Sequence, residues 1–243
     1  MVKEPVIVTK ELSKHFGDFV AVNKISFEVM RGEIFGFLGA NGAGKTTAMK
    51  MLTGLLQPTG GQATVAGYDI MTQSDMVKRN IGYMSQRFSL YEDLTVRENV
   101  RFYGGIYGLS YSERKRKSAE LIERLGLLEV KRDRVAELPL GWKQKLAFSI
   151  ALIHDPAIVF LDEPTGGVDP LTRRQFWDLI YEAAERGVTV FVTTHYMDEA
   201  EYCERISIMV DGRIEALDTP TNLKKQFKVG NMDDVFLKLA RGK

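Results

Sequence analysis

The sequence predicts an α/β fold with a parallel β-sheet core, a small antiparallel β-subdomain and a helical insertion. Three observations support this prediction. Short apolar runs alternate with helical patterns, and each run is continuously apolar, as expected for strands buried on both faces of a parallel sheet. Short, turn-rich β patterns occupy residues 1–30 and 62–70. Residues 87–154 show mostly helical patterns and no convincing buried strand.

The parallel sheet has five predicted strands, at residues 34–38, 81–84, 158–161, 188–193 and 206–210. Asp211 and Gly212 form a dipeptide typical of hairpin turns, so a further strand is expected over 214–217. Residues 231–239 predict a final short helix with Asn231 as its N-cap.

The composition limits the classes of function. The chain has 243 residues, enough to bury a sizeable core, and its net charge is +1. A dedicated nucleic-acid binder usually has a clear basic excess, so this balance argues against one. Cys203 is the only cysteine, which excludes an intramolecular disulfide and fits a reducing compartment. No signal peptide or membrane span is evident, so we expect a soluble, cytoplasmic chain with at most a peripheral membrane role.

A basic run, RKRK, lies at residues 114–117 on a helical pattern that also carries glutamates. Such a charged run usually forms a solvated helix face. We therefore predict a surface helix there and no nucleic-acid site.

A glycine-rich segment follows the strand predicted at 34–38. Residues 39–47 read GANGAGKTT and fit the P-loop pattern G-x-x-x-x-G-K-[ST]. In this motif the glycines let backbone N–H groups wrap a phosphate chain, and the next helix points its N-terminal dipole at the anion. Lys45 is expected to reach the β- and γ-phosphates, and the Thr46 hydroxyl to bind Mg²⁺. The predicted nucleotide contacts in this segment are Gly39, Asn41, Gly42, Ala43, Gly44, Lys45, Thr46 and Thr47.

Two adjacent acids end the strand predicted at 158–161. Asp162 is suited to hold Mg²⁺ through its water shell, and Glu163 is suited to polarise the water that attacks the γ-phosphate. An isolated acid pair would indicate only a polar strand end. The apolar run before it and the P-loop upstream favour the catalytic interpretation.

Together these motifs resemble the nucleotide-binding subunits of ABC transporters, and the likeness covers nearly the whole chain. The resemblance implies a P-loop NTPase of the ABC ATPase kind, with ATP and Mg²⁺ as its cofactors. Residues 88–100, 102–109 and 233–239 look most like exporter ATPases of the drug-efflux group. They look closest to the YbhF-like ATPases, in which two ATPase domains share one long chain.

The resemblance also gives roles to four residues outside the P-loop. Phe16 would stack on adenine; most relatives have tyrosine there, and phenylalanine keeps the ring face. Gln86, in YMSQ, would contact Mg²⁺, sense the γ-phosphate and pass that state to the helical insertion. His195, in VTTH, would contact the γ-phosphate. Asp169 would lie in the loop that crosses the dimer interface, and it is also placed to cap the helix that Pro170 opens.

The same resemblance implies how the chain is divided and with what it works. Residues 1–86 and 155–230 would form the ATP-binding core with its antiparallel β-subdomain. Residues 87–154 would form the helical subdomain, and residues 231–243 a C-terminal helix. Two ATPase domains would enclose two ATP molecules, and their closure would pull on membrane-spanning permease subunits at the inner face of the cell membrane. Nucleic acid is not expected as a partner.

One segment departs from the family pattern. Residues 137–146 read ELPLGWKQKL, where the family signature is LSGGQ followed by basic residues. The positions that fit are Leu138, Gly141, Lys143, Gln144, Lys145 and Leu146. Pro139 replaces the serine, Leu140 the first glycine and Trp142 the glutamine. Three interpretations remain: a working variant of lower affinity, the weak half of an asymmetric pair, or only a helix start. The asymmetric pair is favoured because the other motifs are intact.

Two functions other than an efflux ATPase subunit are considered. A soluble ABC-type clamp on nucleic acid or the ribosome would share these motifs. However, residues 87–154 are too few for the long coiled coil of DNA-repair ATPases, and the charge balance shows no nucleic-acid footprint. A binding-only nucleotide switch would have no need of Glu163 as a base.

Overall fold

The computed structural model describes residues 4–86 and 90–241, which form two β-sheets and eight α-helices. The strands are β1 (Pro5–Phe16), β2 (Phe19–Met30), β3 (Ile34–Gly39), β4 (Gly60–Val65), β5 (Tyr68–Asp69), β6 (Ile81–Met84), β7 (Ile158–Asp162), β8 (Thr189–Thr194), β9 (Arg205–Val210) and β10 (Arg213–Asp218). The helices are α1 (Lys45–Leu52), α2 (Ser74–Asn80), α3 (Val96–Ile106), α4 (Tyr111–Arg124), α5 (Leu140–Ala151), α6 (Pro170–Glu185), α7 (Pro220–Phe227) and α8 (Met232–Arg241).

The larger sheet has the strand order β10-β9-β3-β8-β7-β6. Its pairs are parallel except for the hairpin of β9 and β10. Strands β3, β7 and β8 are buried along their whole length, which explains their continuously apolar sequences. All five predicted strands are confirmed, the fourth shifted by one residue to Thr189–Thr194, and the hairpin at Asp211 and Gly212 is confirmed too.

The smaller sheet is antiparallel, with the order β2-β1-β4-β5. The prediction of short strands in residues 1–30 was wrong, because β1 and β2 are 12 residues long each. Several register shifts interrupt their pairing, and Glu11 and Lys24 have positive φ angles of 48° and 50°. Such bulges break the alternation of apolar and polar residues, so each long strand looks interrupted in the sequence.

A cluster of phenylalanines joins the two sheets. Phe27 of β2 stacks on Phe35 of β3, with ring centroids 5.6 Å apart. Phe27 also contacts Phe37 of β3 and Phe191 of β8, and these two rings contact each other. Buried residues of α1 belong to the same core. The helix that follows the glycine-rich loop is therefore held between the sheets by apolar packing.

Helices α3, α4 and α5 form a separate apolar cluster within residues 96–153. Capping boxes at Thr95 and Ser110 start α3 and α4. The prediction of a solvated helix face at 114–117 is confirmed for two of its four residues. Lys115 and Arg116 are exposed, whereas Lys117 turns inward and its Nζ donates to the Ile153 carbonyl at 2.7 Å. In a helix, residues three apart lie on one face, so neighbours in a basic run point in different directions. The uniform charge of the run gives no sign of which lysine turns inward.

The predicted C-terminal helix is confirmed as α8, and Asn231 caps it by accepting the backbone N–H of Asp234 at 2.8 Å. The predicted division into 1–86 with 155–230, 87–154 and 231–243 stays a prediction. Residues 87–89 of the helical subdomain, and thus the start of the exporter-like segment at 88–100, lie outside the described residues. None of the helices in the described ranges combines the length and apolar character needed to cross a bilayer.

Candidate active site

The glycine-rich loop joins β3 to α1, as the sequence predicts. Gly44 caps α1 with φ of +104°, and a Cβ there would lie 2.3 Å from the Ala21 carbonyl oxygen. A Cβ on Gly39 would lie 2.4 Å from the Met209 carbonyl oxygen. Glycine is therefore required at both positions because neighbouring backbone approaches closely, in addition to any need to admit phosphate.

The turn between β9 and β10 supports this loop. The N–H of Gly212 donates to the Ala43 carbonyl at 3.0 Å, and the Gly212 carbonyl accepts the N–H of Asn23 at 2.8 Å. One residue thus links β2 of the smaller sheet to the glycine-rich loop. The sequence predicts the turn, but the pattern carries no signal for these long-range bonds.

Lys45 lies at the start of α1 with only 4% of its surface exposed. Its Nζ donates to the carbonyls of Gly39 and Ala40, at 2.7 and 3.1 Å, and lies 3.4 Å from Glu163 Oε1. Burial lowers the pKa of Lys45, and the Glu163 carboxylate opposes that shift. A cation is therefore held at the mouth of the glycine-rich loop.

Asp162 ends β7 beside two threonine hydroxyls. Its Oδ1 accepts a hydrogen bond from Thr193 Oγ1 at 2.7 Å and a longer one from Thr46 Oγ1 at 3.5 Å. Burial raises the pKa of the Asp162 carboxyl, and the hydrogen bond from Thr193 opposes the rise. Carboxylate and hydroxyl oxygens are ligands that Mg²⁺ accepts, so this pair fits the predicted metal position.

Glu163 brings the other predicted catalytic side chains together. Its Oε2 accepts a hydrogen bond from Gln86 Nε2 at 3.0 Å and lies 3.0 Å from His195 Nδ1. Its backbone is left-handed, with φ of +48°, and its N–H bonds both the carbonyl and the hydroxyl of Thr193. Strained backbone of this kind is frequent at functional sites. Thr193 holds both acids in place, and sequence analysis missed it although a hydroxyl within a buried strand signals such a role.

Phe16 lies at the end of β1 with 51% of its surface exposed, and Lys14 Nζ lies 5.2 Å from its ring centroid. Asn41 and Gly42 are exposed on the glycine-rich loop, and Thr47 is partly buried in α1. These positions leave the residues accessible to a ligand. Their contacts with nucleotide stay predictions.

Comparison with known proteins identifies the family. A profile described as ABC transporter matches residues 22–166. The chain is 53% identical, over 92% of its length, to the probable multidrug ABC transporter ATP-binding protein YbhF of Escherichia coli, of which it spans 39%. It is 36% identical, over 97% of its length, to the linearmycin resistance ATP-binding protein LnrL of Bacillus subtilis, and it spans 79% of that protein. A solved dimer of the ATP-binding cassette MJ0796, in a post-hydrolysis state bound to ADP and Pi, matches 88% of this chain and 98% of its own, with 26% identity and a TM-score of 0.78.

The chain belongs to the ABC transporter family. It carries the ATP-binding part, and its relation to drug-efflux ATPases, expected from the sequence, is confirmed by the similarity to YbhF.

The ABC signature segment starts α5. Pro139 occupies the N-cap position of α5, but its side chain forms no capping hydrogen bond. Its carbonyl accepts the N–H groups of Trp142 and Lys143 at 3.0 and 3.1 Å. Leu140 is 41% exposed and Trp142 37% exposed. A Cβ on Gly141 would lie 2.6 Å from Thr172 Cγ2 of α6, so the helices approach closely there. The first turn of α5 thus packs closely against α6 and presents two large apolar side chains, and the three interpretations of this segment stay predictions.

The basic residues of the signature are engaged within the chain. Lys143 forms an ion pair with Glu92 at 2.9 Å, and Lys145 donates to Gln175 at 2.9 Å. The Lys145 Nζ also lies 5.4 Å from the centre of the Trp142 ring. These contacts hold the start of α5 against its neighbours.

Asp169 caps α6, as predicted. Its Oδ1 accepts the N–H groups of Leu171 and Thr172, both at 3.0 Å. The Thr172 hydroxyl also donates to Asp169 Oδ2, and this bond, followed by the backbone bonds, lowers the pKa of the Asp169 carboxyl. Its role at a dimer interface stays a prediction.

Proposed function

We propose that this ABC ATPase hydrolyses ATP and couples the cycle to efflux of a small molecule through membrane-spanning partners. The observation that carries the proposal is the convergence of Lys45, Gln86 and His195 on the carboxylate of Glu163, beside the glycine-rich loop. Hydrolysis of a γ-phosphate requires a base, polar side chains that contact the phosphate, and a fixed cation. Glu163 would be the base and Lys45 the cation.

The loop residues would bind the phosphates. The backbone N–H groups of residues 41–47 would surround the β-phosphate, and Lys45 would exchange the Glu163 carboxylate for phosphate oxygens. Phe16 would stack on the adenine ring. An exposed ring face and a fixed ammonium suit the two ends of a nucleotide.

The metal position would be formed by Thr46 and Asp162, with Gln86 as a further ligand. A bound Mg²⁺ there would neutralise charge on the β- and γ-phosphates. Thr193 holds the Asp162 carboxylate toward the Thr46 hydroxyl.

Glu163 would accept a proton from the attacking water. Once Lys45 has moved to the phosphates, the carboxylate would keep its contact with Gln86 and would release the N–H of His195. His195 would then donate toward the γ-phosphate. The left-handed backbone of Glu163, held by Thr193, keeps the base at the end of β7.

The partners would be membrane-spanning permease subunits and a second ATPase domain, at the inner face of the cell membrane. The dimeric MJ0796 cassette supports pairing. The names of YbhF and LnrL, which refer to multidrug transport and to linearmycin resistance, support efflux. No comparison favours the nucleic-acid clamp.

An asymmetric pair is the form of dimer that the signature segment supports. Pro139 has neither a hydroxyl nor an N–H to donate to a γ-phosphate. A side-chain hydrogen bond to a charged acceptor contributes about 1.5–3 kcal/mol, so its loss weakens closure on the partner's ATP roughly 10- to 100-fold. The chain would hydrolyse its own ATP against a partner with a complete signature and offer that partner a poor site in return.

A mixing experiment tests the proposal. We would measure the Mg·ATP hydrolysis rate per chain against protein concentration, first for the wild type alone. We expect a low rate with ATP still bound. We would then add the double variant Pro139→Ser with Glu163→Gln, which supplies the missing hydroxyl but lacks its own base. The rate should rise, because each mixed pair has one complete site.

Two outcomes would contradict parts of the proposal. A wild-type rate that climbs with concentration to a high plateau would show that Pro139 is tolerated in a homodimer, and the asymmetric pair would be wrong. If neither sample hydrolysed ATP while both bound it, even with the permease subunits present, the assignment as an ATPase would be wrong.

A further inference from the structure

A cavity of about 350 Å³ lies on a part of the molecule that the ATP site does not use. Its walls are α4, the end of α5, the residues before β7 and the turn between α6 and β8. Pro156 and Val188 line it just before β7 and β8 begin, whereas Asp162 ends β7 and His195 directly follows β8. A five-residue strand spans about 16 Å at roughly 3.3 Å per residue, so the cavity and the ATP site are separate.

This cavity is called the rear cavity, and its buried apolar lining is called its floor. Its volume and its floor suit a small molecule. Small-molecule sites in proteins have volumes of roughly 300–1,000 Å³ and mostly apolar walls with a few polar groups. The floor here includes Leu121, Ile153 and Pro156, which are buried. An apolar molecular skeleton placed on this floor would be removed from water.

The rim of the rear cavity has an excess of positive charge. Its two acids are already paired: Asp155 with Lys117, and Glu120 with Arg116, which lies outside the rim. Arg124 and Arg186 also line the cavity, and in residues 4–86 and 90–241 neither forms an ion pair with an acid.

The two arginines are close enough to interact unfavourably. Partial burial lowers the pKa of Arg124, the charge of Arg186 lowers it further, and the charge of Glu182 opposes the shift. Two like charges facing one cavity attract an anion, because an anion between them would remove their repulsion and accept hydrogen bonds from both.

We propose that the rear cavity binds a small organic anion, with its carboxylate, sulfonate or phosphate group between Arg124 and Arg186 and its apolar skeleton on the floor. Such a ligand would contact α4 on one side and the turn before β8 on the other. It would therefore bridge the helical region and the strands that end at the ATP site. This inference goes beyond the proposed ATPase function and does not depend on it.

Binding of 8-anilinonaphthalene-1-sulfonate tests the proposal, because the dye joins an apolar aromatic skeleton to one sulfonate. The dye would be titrated by fluorescence into the full chain, with saturating ADP present to block the ATP site. We expect saturable binding of one dye per chain. Arg124→Gln and Arg186→Gln should each raise the dye's Kd about tenfold, which corresponds to about 1.4 kcal/mol.

The matched control is Arg116→Gln, on the outer side of the same helix, where the arginine already has Glu120 as its partner. It should change the Kd less than twofold. Arg186→Lys keeps the charge and should retain most of the affinity, which separates loss of charge from loss of structure. An unchanged Kd in both glutamine variants, an equal loss in Arg116→Gln, or no saturable binding of the dye in the presence of ADP would each overturn the proposal.

Discussion

At the scale of single residues, the site depends on the position of one carboxylate. The backbone N–H of Glu163 is fixed by Thr193, and its side chain is shared by Lys45, Gln86 and His195. The carboxylate is the counter-ion of Lys45. Phosphate oxygens would take over that cation, so ATP binding would release Glu163 to act as a base.

Glu163→Gln should keep ATP binding and lose turnover. The amide keeps the shape of the side chain but cannot accept a proton, and general-base catalysis typically contributes about 10²–10⁴-fold. The measurement is single-turnover hydrolysis in mixed pairs with a partner that supplies a complete signature. Glu28→Gln, an exposed change on β2, is the control and should leave the rate unchanged. Turnover like the wild type in Glu163→Gln would remove Glu163 from this role.

Lys45→Ala should lose ATP binding. The ammonium lies at the mouth of the glycine-rich loop, and its removal would leave a bound γ-phosphate without the cation proposed to contact it. Binding of a fluorescent ATP analogue would measure the effect. Lys50→Ala removes an exposed lysine from the same helix and should bind as the wild type does. Equal affinity of the two variants would contradict the assignment.

At the scale of elements, the loop between β3 and α1 is shaped by neighbouring backbone as much as by its own sequence. Gly44 faces the Ala21 carbonyl near the start of β2, while nothing lies within 4 Å of the position that a Cβ on Gly42 would take. Both glycines have positive φ angles, of 104° and 82°. Their substitution therefore separates backbone strain from steric contact.

Gly44→Ala should destabilise the protein more than Gly42→Ala. In both variants the alanine must adopt a strained positive φ. Only the Cβ of Gly44→Ala meets a carbonyl oxygen, and such overpacking costs about 1–3 kcal/mol. Urea unfolding followed by circular dichroism would give the difference in the free energy of unfolding. Equal values for the two variants would show that the loop moves away from Ala21 at little cost.

Sequence patterns predict some of these elements well and others poorly. Strands β3, β7 and β8 are predictable because burial on both faces makes them continuously apolar, and the glycine-rich loop is predictable because its residue types are required by its path. The length of β1 is not predictable, because its bulges interrupt the pattern. The long-range bonds of Gly212 are missed for a different reason: their partners lie far away in the sequence, so no local pattern records the contact. Thr193 is missed although its hydroxyl within a buried strand is a local signal.

At the scale of the whole molecule, the helical region meets the sheet core through His154. Its ring stacks on Tyr107 at the end of α3, with centroids 3.9 Å apart, and its Nε2 lies 3.1 Å from the Ile81 carbonyl of β6. Strand β6 leads to Gln86. This stack therefore connects a helix of the helical region to the strand that precedes a proposed sensor of the γ-phosphate.

Acid should weaken this connection. Burial lowers the pKa of His154, so its folded value is below that of the unfolded chain, about 6.5. The unfolded chain then binds more protons as the pH falls, and stability present above pH 6.5 is lost below it. His154→Phe keeps the stack and removes the titration. We expect its Tm to fall less than that of the wild type between about pH 7.5 and pH 5, and equal falls would contradict this.

The bonds made by Gly212 have a consequence for how this cassette tolerates change. The turn lies nearly at the other end of the sequence from the glycine-rich loop, yet it is bonded to that loop on one side and to β2 on the other. Hairpin turns on a surface usually accept insertions freely. Here an added residue would shift the glycine-rich loop, the proposed phosphate site, relative to the hairpin of β1 and β2 that carries Phe16. The turn would thus act as a fixed spacer between the proposed phosphate contacts and the proposed adenine contact, and its length would be constrained together with that of the loop it supports.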